Sequence, residues 1–311
     1  MKELQHFIRY LSVVALALVS VFSASLLAAQ VLHPLDPLTE NEIARTVRIL
    51  NVTSNFPRTA LFSTIQLNEP PKNEVLKFKA GAGFRREAFG IILDRENNKT
   101  YEAIVDLNSD KLTSWQEIKN VQPLVFFGEH ETLQKIVKAD TRWQMAMRKR
   151  GITDFDKVVV EGWAAGEHDP RITGRILRGL TFVKGSSVNY YGRPVEGLNV
   201  IVNMNTLKVV ELTDTGIAPI AKYNQDFDEK SIGKQRERPK PLLITQPGGV
   251  GYQIKGHEIR WQKWRFRYSM HPREGLVLHL VNYDENGKIR PILYRASISE
   301  MFIPYGDPDI N

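Results

Sequence analysis

The sequence of 311 residues contains no cysteine. This absence excludes disulfide bonds, cysteine-ligated zinc, iron–sulfur clusters and a thiol nucleophile. Histidine is also scarce, with only seven residues. No two of them have the H-x-H or H-x-x-x-H spacing of a local metal site. Long lysine or arginine runs are also missing. The net charge of +7 is therefore dispersed, which indicates general solubility rather than a nucleic-acid-binding arm.

The composition is that of a folded protein. Hydrophobic residues make up 42% of the chain and charged residues 25%, a balance typical of globular domains. At roughly 150 residues per domain, the length predicts about two domains, or three small ones.

The N-terminus has the pattern of a targeting segment. Lys2 and Arg9 precede an uncharged apolar stretch, residues 11–29, as in a cleaved export signal. The same stretch would span roughly 28 Å as a helix, which is enough for a retained membrane anchor. We therefore expect residues 1–29 to be a signal peptide or an anchor, and the protein to be periplasmic or extracellular.

Two helix-plus-strand patterns follow one another along the chain. Thr39 and Glu42 form a capping box that predicts the start of a first helix. A second helix is predicted from about Glu129 to Gly151, with Gly151 as its C-terminal cap. Alternating apolar residues predict strands after each helix, at 61–67, 89–93 and 101–107, and then at 157–160, 175–183, 197–204 and 208–212.

These two patterns resemble each other in sequence. The segment "IVDLNSDKL" at 104–112 matches "IVNMNTLKV" at 201–209, and each copy follows an amphipathic helix. We therefore predict a duplicated α+β unit, with one copy at residues 33–120 (module 1) and the other at 125–226 (module 2).

The C-terminal part has a different pattern. Residues 227–241 are charged and contain proline, which predicts a surface linker. Alternation at 259–268, 276–283 and 289–297, with a "DENGK" turn, predicts antiparallel strands. We expect residues 242–311 to be the start of a larger, truncated β-sandwich domain, so the predicted fold class is α+β.

The segment "RWQKWRFRY" at 260–268 interleaves basic and aromatic residues, as single-stranded nucleic-acid sites do. Its spacing is period two, however, with Trp264, Phe266 and Tyr268 on one face. Lys263, Arg265 and Arg267 fall on the other. This favours a half-buried strand with a solvated basic face, and no nucleic-acid partner is expected.

Three further side chains are candidates for chemistry. His271 and His279 flank a turn, and they would be metal ligands if they met across a hairpin; a turn residue and a strand residue are the alternative. Asp307, in "PYGDP", is a candidate carboxylate, although Gly-Asp-Pro more often forms a turn.

Residues 242–308 resemble the start of the catalytic domain of copper amine oxidases, the topaquinone enzymes. The landmarks "ITQP" (244–247), "PREGL" (272–276) and "PYGDP" (304–308) are all present. "HPLDPLT" at 33–39 and "RPVEGLNVIVNMN" at 193–205 resemble the family's second and third N-terminal domains. The resemblance covers nearly all of residues 33–308.

The resemblance implies oxidative deamination of primary amines to aldehyde, ammonia and hydrogen peroxide, with O2 as the oxidant. In the complete family enzyme, a topaquinone made from the tyrosine of T-x-x-N-Y-[DE]-Y and a copper ion held by histidines carry the reaction. These 311 residues contain neither that motif nor H-x-H, and Tyr283 in "NYDE" lacks the final tyrosine. We expect no catalytic, cofactor-binding or metal residues here, and a chain that is inactive alone.

One residue is a candidate for the substrate channel. Trp163, in "WAAG" (163–166), matches a position that in some family members helps to line the amine channel, whereas a core or interface tryptophan is the plain alternative. The expected partner is a chain carrying the missing catalytic parts, or a second copy in a homodimer. The alternative function is an exported, non-catalytic binding scaffold of two modules.

Overall fold

The computed structural model describes residues 31–303, except residues 55, 167, 168, 170, 186, 187, 223–225, 299 and 302. The predicted signal or anchor and the "PYGDP" segment with Asp307 lie outside the described residues. No helix of the described part has both the length and the apolar character needed to cross a membrane.

Module 1 is a helix packed on a four-stranded antiparallel sheet. The predicted capping box is present, since Thr39 Oγ1 accepts from Glu42 N–H at 3.2 Å and Glu42 accepts from Thr39 N–H at 2.8 Å. Leu50 of the helix packs on strand residues that include Ile92 and Val105. The elements are α1 (Glu40–Asn51), β1 (Ala60–Asn68), α2 (Lys72–Lys77), β2 (Glu87–Asp94), β3 (Lys99–Asp106) and β4 (Lys111–Ile118), and the strands lie in that order.

Module 2 repeats this arrangement, but its second helix directly follows the first instead of lying between the first two strands. The predicted single helix from Glu129 to Gly151 is wrong, because Asp140 interrupts it and caps a second helix by accepting from the N–H groups of Arg142 and Trp143. Gly151 follows the second helix with a φ of +75°, as predicted for a C-terminal cap. The elements are α3 (Phe127–Ala139), α4 (Thr141–Lys149), β5 (Val158–Ala164), β6 (Ile176–Val183), β7 (Pro194–Asn203) and β8 (Lys208–Asp214), again with the strands in chain order.

The duplication extends to a buried ion pair. In module 1, Arg86 donates to both carboxylate oxygens of Glu42, at 2.7 and 2.8 Å, and to the carbonyls of Asp36 and Pro37. In module 2, Arg175 donates in the same way to Glu129 and to the carbonyls of Pro123 and Leu124. The distances there lie between 2.6 and 2.9 Å. Each arginine precedes the second strand of its sheet, and each glutamate is in the first turn of its first helix. Both modules therefore share this buried arginine–glutamate arrangement, which we call the frame.

The C-terminal sheet contains five antiparallel strands, whereas the sequence pattern predicts strands at three ranges. They follow the exposed 227–241 segment, which carries a short helix, α5 (Glu229–Ile232). The strands are β9 (Tyr252–Lys255), β10 (Glu258–Trp261), β11 (Trp264–His271), β12 (Gly275–Glu285) and β13 (Lys288–Ala296). The "DENGK" turn is confirmed as the β12–β13 hairpin, where Asn286 and Gly287 both have positive φ.

Two details of the C-terminal sheet correct the sequence prediction. The 259–268 run is two strands and not one, because Trp261 pairs with Trp264 across a tight turn in which Gln262 has a φ of +51°. Arg267 was expected on a solvated basic face. Its side chain is only 12% exposed, and it forms an ion pair with Asp36 of module 1.

Candidate functional site

Strand β5 of module 2 has a buried face and an open face. Val158, Val160 and Gly162 are buried on the side of helix α3, because side chains alternate along a strand. Glu161 and Trp163 therefore lie together on the opposite face of the sheet. Trp163 is 50% exposed, which rules out a core tryptophan.

Two tyrosines approach this face from the segment between β6 and β7. Tyr190 and Tyr191 stack on each other with ring centroids 4.7 Å apart, and Phe182 of β6 contacts Tyr191 edge-on at 5.2 Å. The turn before them is held by Asp226, whose carboxylate accepts from the backbone N–H groups of Val188 and Asn189. The segment thus brings both phenol groups over β5.

Glu161 is the centre of this group, which we call the Glu161 cluster: Glu161, Trp163, Phe182, Tyr190 and Tyr191. Tyr191 Oη donates to both carboxylate oxygens at 2.7 Å, and Tyr190 Oη donates to Oε1. The indole Nε1 of Trp163 donates to Oε2 at 3.2 Å. Three side chains therefore bind one carboxylate, and two of them, Tyr190 and Tyr191, are about thirty residues away in sequence.

The hydrogen bonds fix the charge of the cluster. Burial would raise the pKa of Glu161, but the bonds from Tyr190, Tyr191 and Trp163 hold it below its usual range. The hydrogen bond to Glu161, followed by burial, raises the pKa of Tyr190. Glu161 is therefore a permanent anion near neutral pH and is poorly suited to general acid or base catalysis.

The exposed rings and the anion together suit a cation. Tyr191 is 53% exposed and Trp163 50% exposed, so ring faces are open to solvent beside a fixed negative charge. Aromatic faces attract ammonium groups by about 0.5–1 kcal/mol at exposed sites. The arrangement can bind an organic cation but holds no nucleophile–base pair.

His271 and His279 line one cavity against β1, but they have different hydrogen-bond partners. His271 Nδ1 accepts from the N–H groups of Arg273 and Glu274 in the turn, and strand register places His279 opposite Arg267. Over the described ranges, no group of three or more His, Asp or Glu side chains could hold a metal ion. Tyr283 packs edge-on against Trp264 at 5.0 Å, between the cations of Lys263 and Arg290.

Only Trp163 of the Glu161 cluster is a site residue predicted from the sequence. The two-residue spacing of Glu161 and Trp163 on a predicted strand would have placed them on one face. Tyr190 and Tyr191 carried no comparable signal, because their approach depends on how a segment about thirty residues later folds back.

Comparison with known families gave three matches along the chain. Residues 33–118 match "Copper amine oxidase, N2 domain", residues 128–230 match "Copper amine oxidase, N3 domain", and residues 253–311 match "Copper amine oxidase, enzyme domain".

Curated relatives agree with these matches. The chain is 36% identical over 278 residues to a primary amine oxidase of Arthrobacter sp. (strain P1), a match that covers 88% of this chain and 42% of the relative. A primary amine oxidase of Klebsiella aerogenes is 31% identical, with 89% of this chain and 37% of the relative covered. The chain therefore spans about two fifths of the length of these relatives.

A solved structure has the same fold. A copper-containing benzylamine oxidase from Hansenula polymorpha superposes with a TM-score of 0.75 at 20% identity, over 89% of this chain and 46% of that one. At this identity the match supports the fold alone, and it confirms the α+β arrangement expected from the sequence.

Proposed function

Because domain models of one family together match most of the chain, the chain belongs to the copper amine oxidase family, and we propose that it supplies the scaffold of a primary amine oxidase. The observation that carries this proposal is the unbroken order of N2, N3 and enzyme-domain matches. Primary amines and O2 would be the substrates of the completed enzyme, in a complex with a partner chain or in a homodimer.

The copper and quinone chemistry belongs to residues that are not among these 311. In the family, those two groups supply the electron sink and the reaction with oxygen. The donor set here does not fit them, since the sequence has no H-x-H and the described residues hold no metal-binding cluster. We therefore assign scaffold and substrate-approach roles to this chain, and no redox step.

Docking of the C-terminal sheet supports the scaffold role over the alternative of two modules with a vestigial tail. Arg267 of β11 pairs with Asp36, and Arg295 Nε of β13 donates to Glu69 Oε1 at 3.0 Å. Asp36 and Glu69 belong to module 1. The start of the enzyme domain is thus held in a defined position against module 1.

A hybrid enzyme tests the proposal. Residues 33–311 would replace the matched segment of the Arthrobacter primary amine oxidase, and amine-dependent peroxide would be measured after copper loading. We expect peroxide from the hybrid and from the parent enzyme. We expect none from the 311-residue chain with Cu²⁺. A hybrid that melts cooperatively but releases no peroxide would contradict the proposal, as would turnover by the chain alone.

We further propose that Trp163 lines the path by which the amine approaches. Support comes from its exposed indole, the neighbouring open face of Tyr191 and the fixed charge of Glu161, which together suit an ammonium group. This site rests on the primary amine oxidase proposal.

The Trp163→Ala variant of the hybrid tests this role. Loss of about 0.5–1 kcal/mol of cation binding should raise KM roughly two- to fivefold and leave kcat unchanged. Phe127→Ala is the matched control, because Phe127 is an exposed aromatic residue of the same module, outside the cluster. Equal KM changes in the two variants would remove Trp163 from the amine path.

Export is a separate proposal that rests on the sequence of residues 1–29. Fusing these residues to a periplasmic reporter should deliver the reporter across the membrane. A mass decrease on export would indicate a cleaved signal, and an unchanged mass an anchor. A reporter that stays in the cytoplasm, as with a Val14→Arg/Leu18→Arg control, would refute export.

A further inference from the structure

The junction between module 1 and the C-terminal sheet contains a row of charged residues in strand register. Arg267 lies opposite His279, and His279 lies opposite Arg295, across β11, β12 and β13. Both guanidinium groups reach carboxylates of module 1, Asp36 for Arg267 and Glu69 for Arg295. His279 therefore sits between two cations where the two parts of the protein meet.

His279 is a buried imidazole within this row. It is only 2% exposed, its Nε2 lies 3.0 Å from Ser269 Oγ, and its Nδ1 is buried with no hydrogen-bond partner among the described residues. Burial, with Arg295 and Arg267, lowers the pKa of His279, while Glu69 and Glu274 act in the opposite direction. The ring is neutral near pH 7.

A second histidine occupies the module 1 side of the junction. His33 Nδ1 accepts the backbone N–H of Leu35 at 3.1 Å, so this nitrogen must be unprotonated. Burial and the charge of Arg267 lower the pKa of His33 to about 4, against the opposing charges of Asp36 and Glu258. Its ring also meets the edge of Phe78 at 5.2 Å.

Protonation of His33 would disturb the contact that holds the junction. A proton on Nδ1 removes the acceptor of the Leu35 N–H group. Asp36 follows directly, and its Oδ2 accepts from the N–H groups of Leu32 and His33 while Oδ1 binds Arg267. Arg86 also donates to the carbonyl of Asp36. The loop that presents Asp36 to the sheet is thus built around an unprotonated imidazole.

We propose that this junction is a pH-sensitive latch, closed while His33 and His279 are neutral and released when they take up protons. In the open state both rings would be in water and would titrate near 6.5. Below that pH the open state binds more protons than the closed state, so acid favours opening. The ratio of closed to open molecules should fall up to about tenfold per pH unit for each histidine. For His33 this applies between pH 6.5 and about 4.

Hydrogen exchange of the full chain tests the latch. At pH 7.0 and 5.0, after correction for intrinsic exchange rates, we expect at least about a tenfold loss of protection at pH 5.0 in residues 32–38 and in β11–β12. Strands β5–β8 should keep their protection. The His33→Gln/His279→Gln variant should show no such pH-dependent loss, because each glutamine can still accept a hydrogen bond but cannot be protonated.

His130→Gln is the matched control, since His130 lies on α3 of module 2, and it should retain the wild-type pH response. Unchanged protection of the wild type at pH 5.0, or an equal loss in the double variant, would overturn the latch. If the double variant does not fold, the imidazole NMR signals of the wild type decide. Midpoints below 6 for His33 and His279 support the latch, and midpoints near 6.5 refute it.

Discussion

In module 1, the residue six positions before the capping glutamate is Asp36, whose carboxylate binds Arg267 of the C-terminal sheet. In module 2, the equivalent residue is Pro123. Both contribute their backbone carbonyl to the buried arginine of their own module, at 2.7 Å in each case. The shared position thus keeps its structural role, while the side chain of only one copy docks another part of the protein.

The outer surfaces of the two modules also differ in what they contact. Module 1 supplies Asp36 and Glu69 to ion pairs with the C-terminal sheet. Module 2 leaves Trp163 and Tyr191 half-exposed beside the carboxylate of Glu161. The two modules therefore share the internal frame and differ at the surface. Module 1 supports the C-terminal sheet, whereas module 2 presents an aromatic and anionic face.

The largest predicted effect comes from breaking the shared frame. Arg175→Ala would leave Glu129 buried and unpaired, since the arginine is 3% and the glutamate 6% exposed, and should cost about 3–5 kcal/mol of unfolding free energy. Arg86→Ala should cost a similar amount, because Arg86 is 5% exposed and makes the same four contacts. Urea denaturation measures both.

Arg142→Ala is the control for the frame, because Arg142 pairs with Asp140 at a half-exposed position and should cost far less. A loss below about 1 kcal/mol for either frame variant would show that the pair is not a common structural device.

The packing around the glycine of the second strand sharpens the comparison at the next level. A Cβ at Gly179 would lie 2.6 Å from Val200 Cγ2, whereas a Cβ at Gly90 would lie 3.3 Å from Ile92 Cδ1. Gly179→Ala should therefore destabilise by about 1–3 kcal/mol, and Gly90→Ala by less. Equal losses in thermal melts would mean that the two glycine positions are equally crowded.

An acid-stability measurement addresses the sheet that docks on module 1. Hydrogen bonds from Arg295 and Ser297 lower the pKa of Glu274 from 4.5 to about 2. The folded state therefore gains stability from this carboxylate above pH 4.5 and loses it as the pH falls towards 2. Glu274→Gln should remove that pH-dependent part and lower Tm at pH 7 by ~2–4 °C, the shift typical of about 1 kcal/mol. An unchanged acid profile would contradict this assignment.

The smallest effect is expected on the open face of module 2. Glu161→Gln keeps an acceptor for Tyr190, Tyr191 and Trp163 and should cost only ~0.5 kcal/mol, because the cluster is partly in water. A loss comparable to that of Arg175→Ala in urea denaturation would make Glu161 part of the frame instead.

Local signals in the sequence predicted much of this fold. The Thr39–Glu42 capping box, the "DENGK" hairpin and the repeated strand–turn–strand segment each depend on residues within a few positions of one another. The two-residue turn at Gln262 has no such local signal, because the alternation of apolar and polar residues continues across it.

Pairings over long distances could not be read in this way. Arg175 lies 46 residues from Glu129, and Tyr190 lies 29 from Glu161. Arg267 and Asp36 are separated by 231 residues. The partner of each carboxylate is determined only when the helices and sheets pack together. The family resemblance indicated the domain order but not these contacts.

The most direct test of a functional face on module 2 is steady-state kinetics of the hybrid enzyme carrying Glu161→Gln. We predict a severalfold rise in KM for a cationic amine, with kcat unchanged and Tm shifted by no more than about 2 °C. An unchanged KM, or a fall in kcat that accompanies a fall in Tm, would contradict the account and make the cluster purely structural.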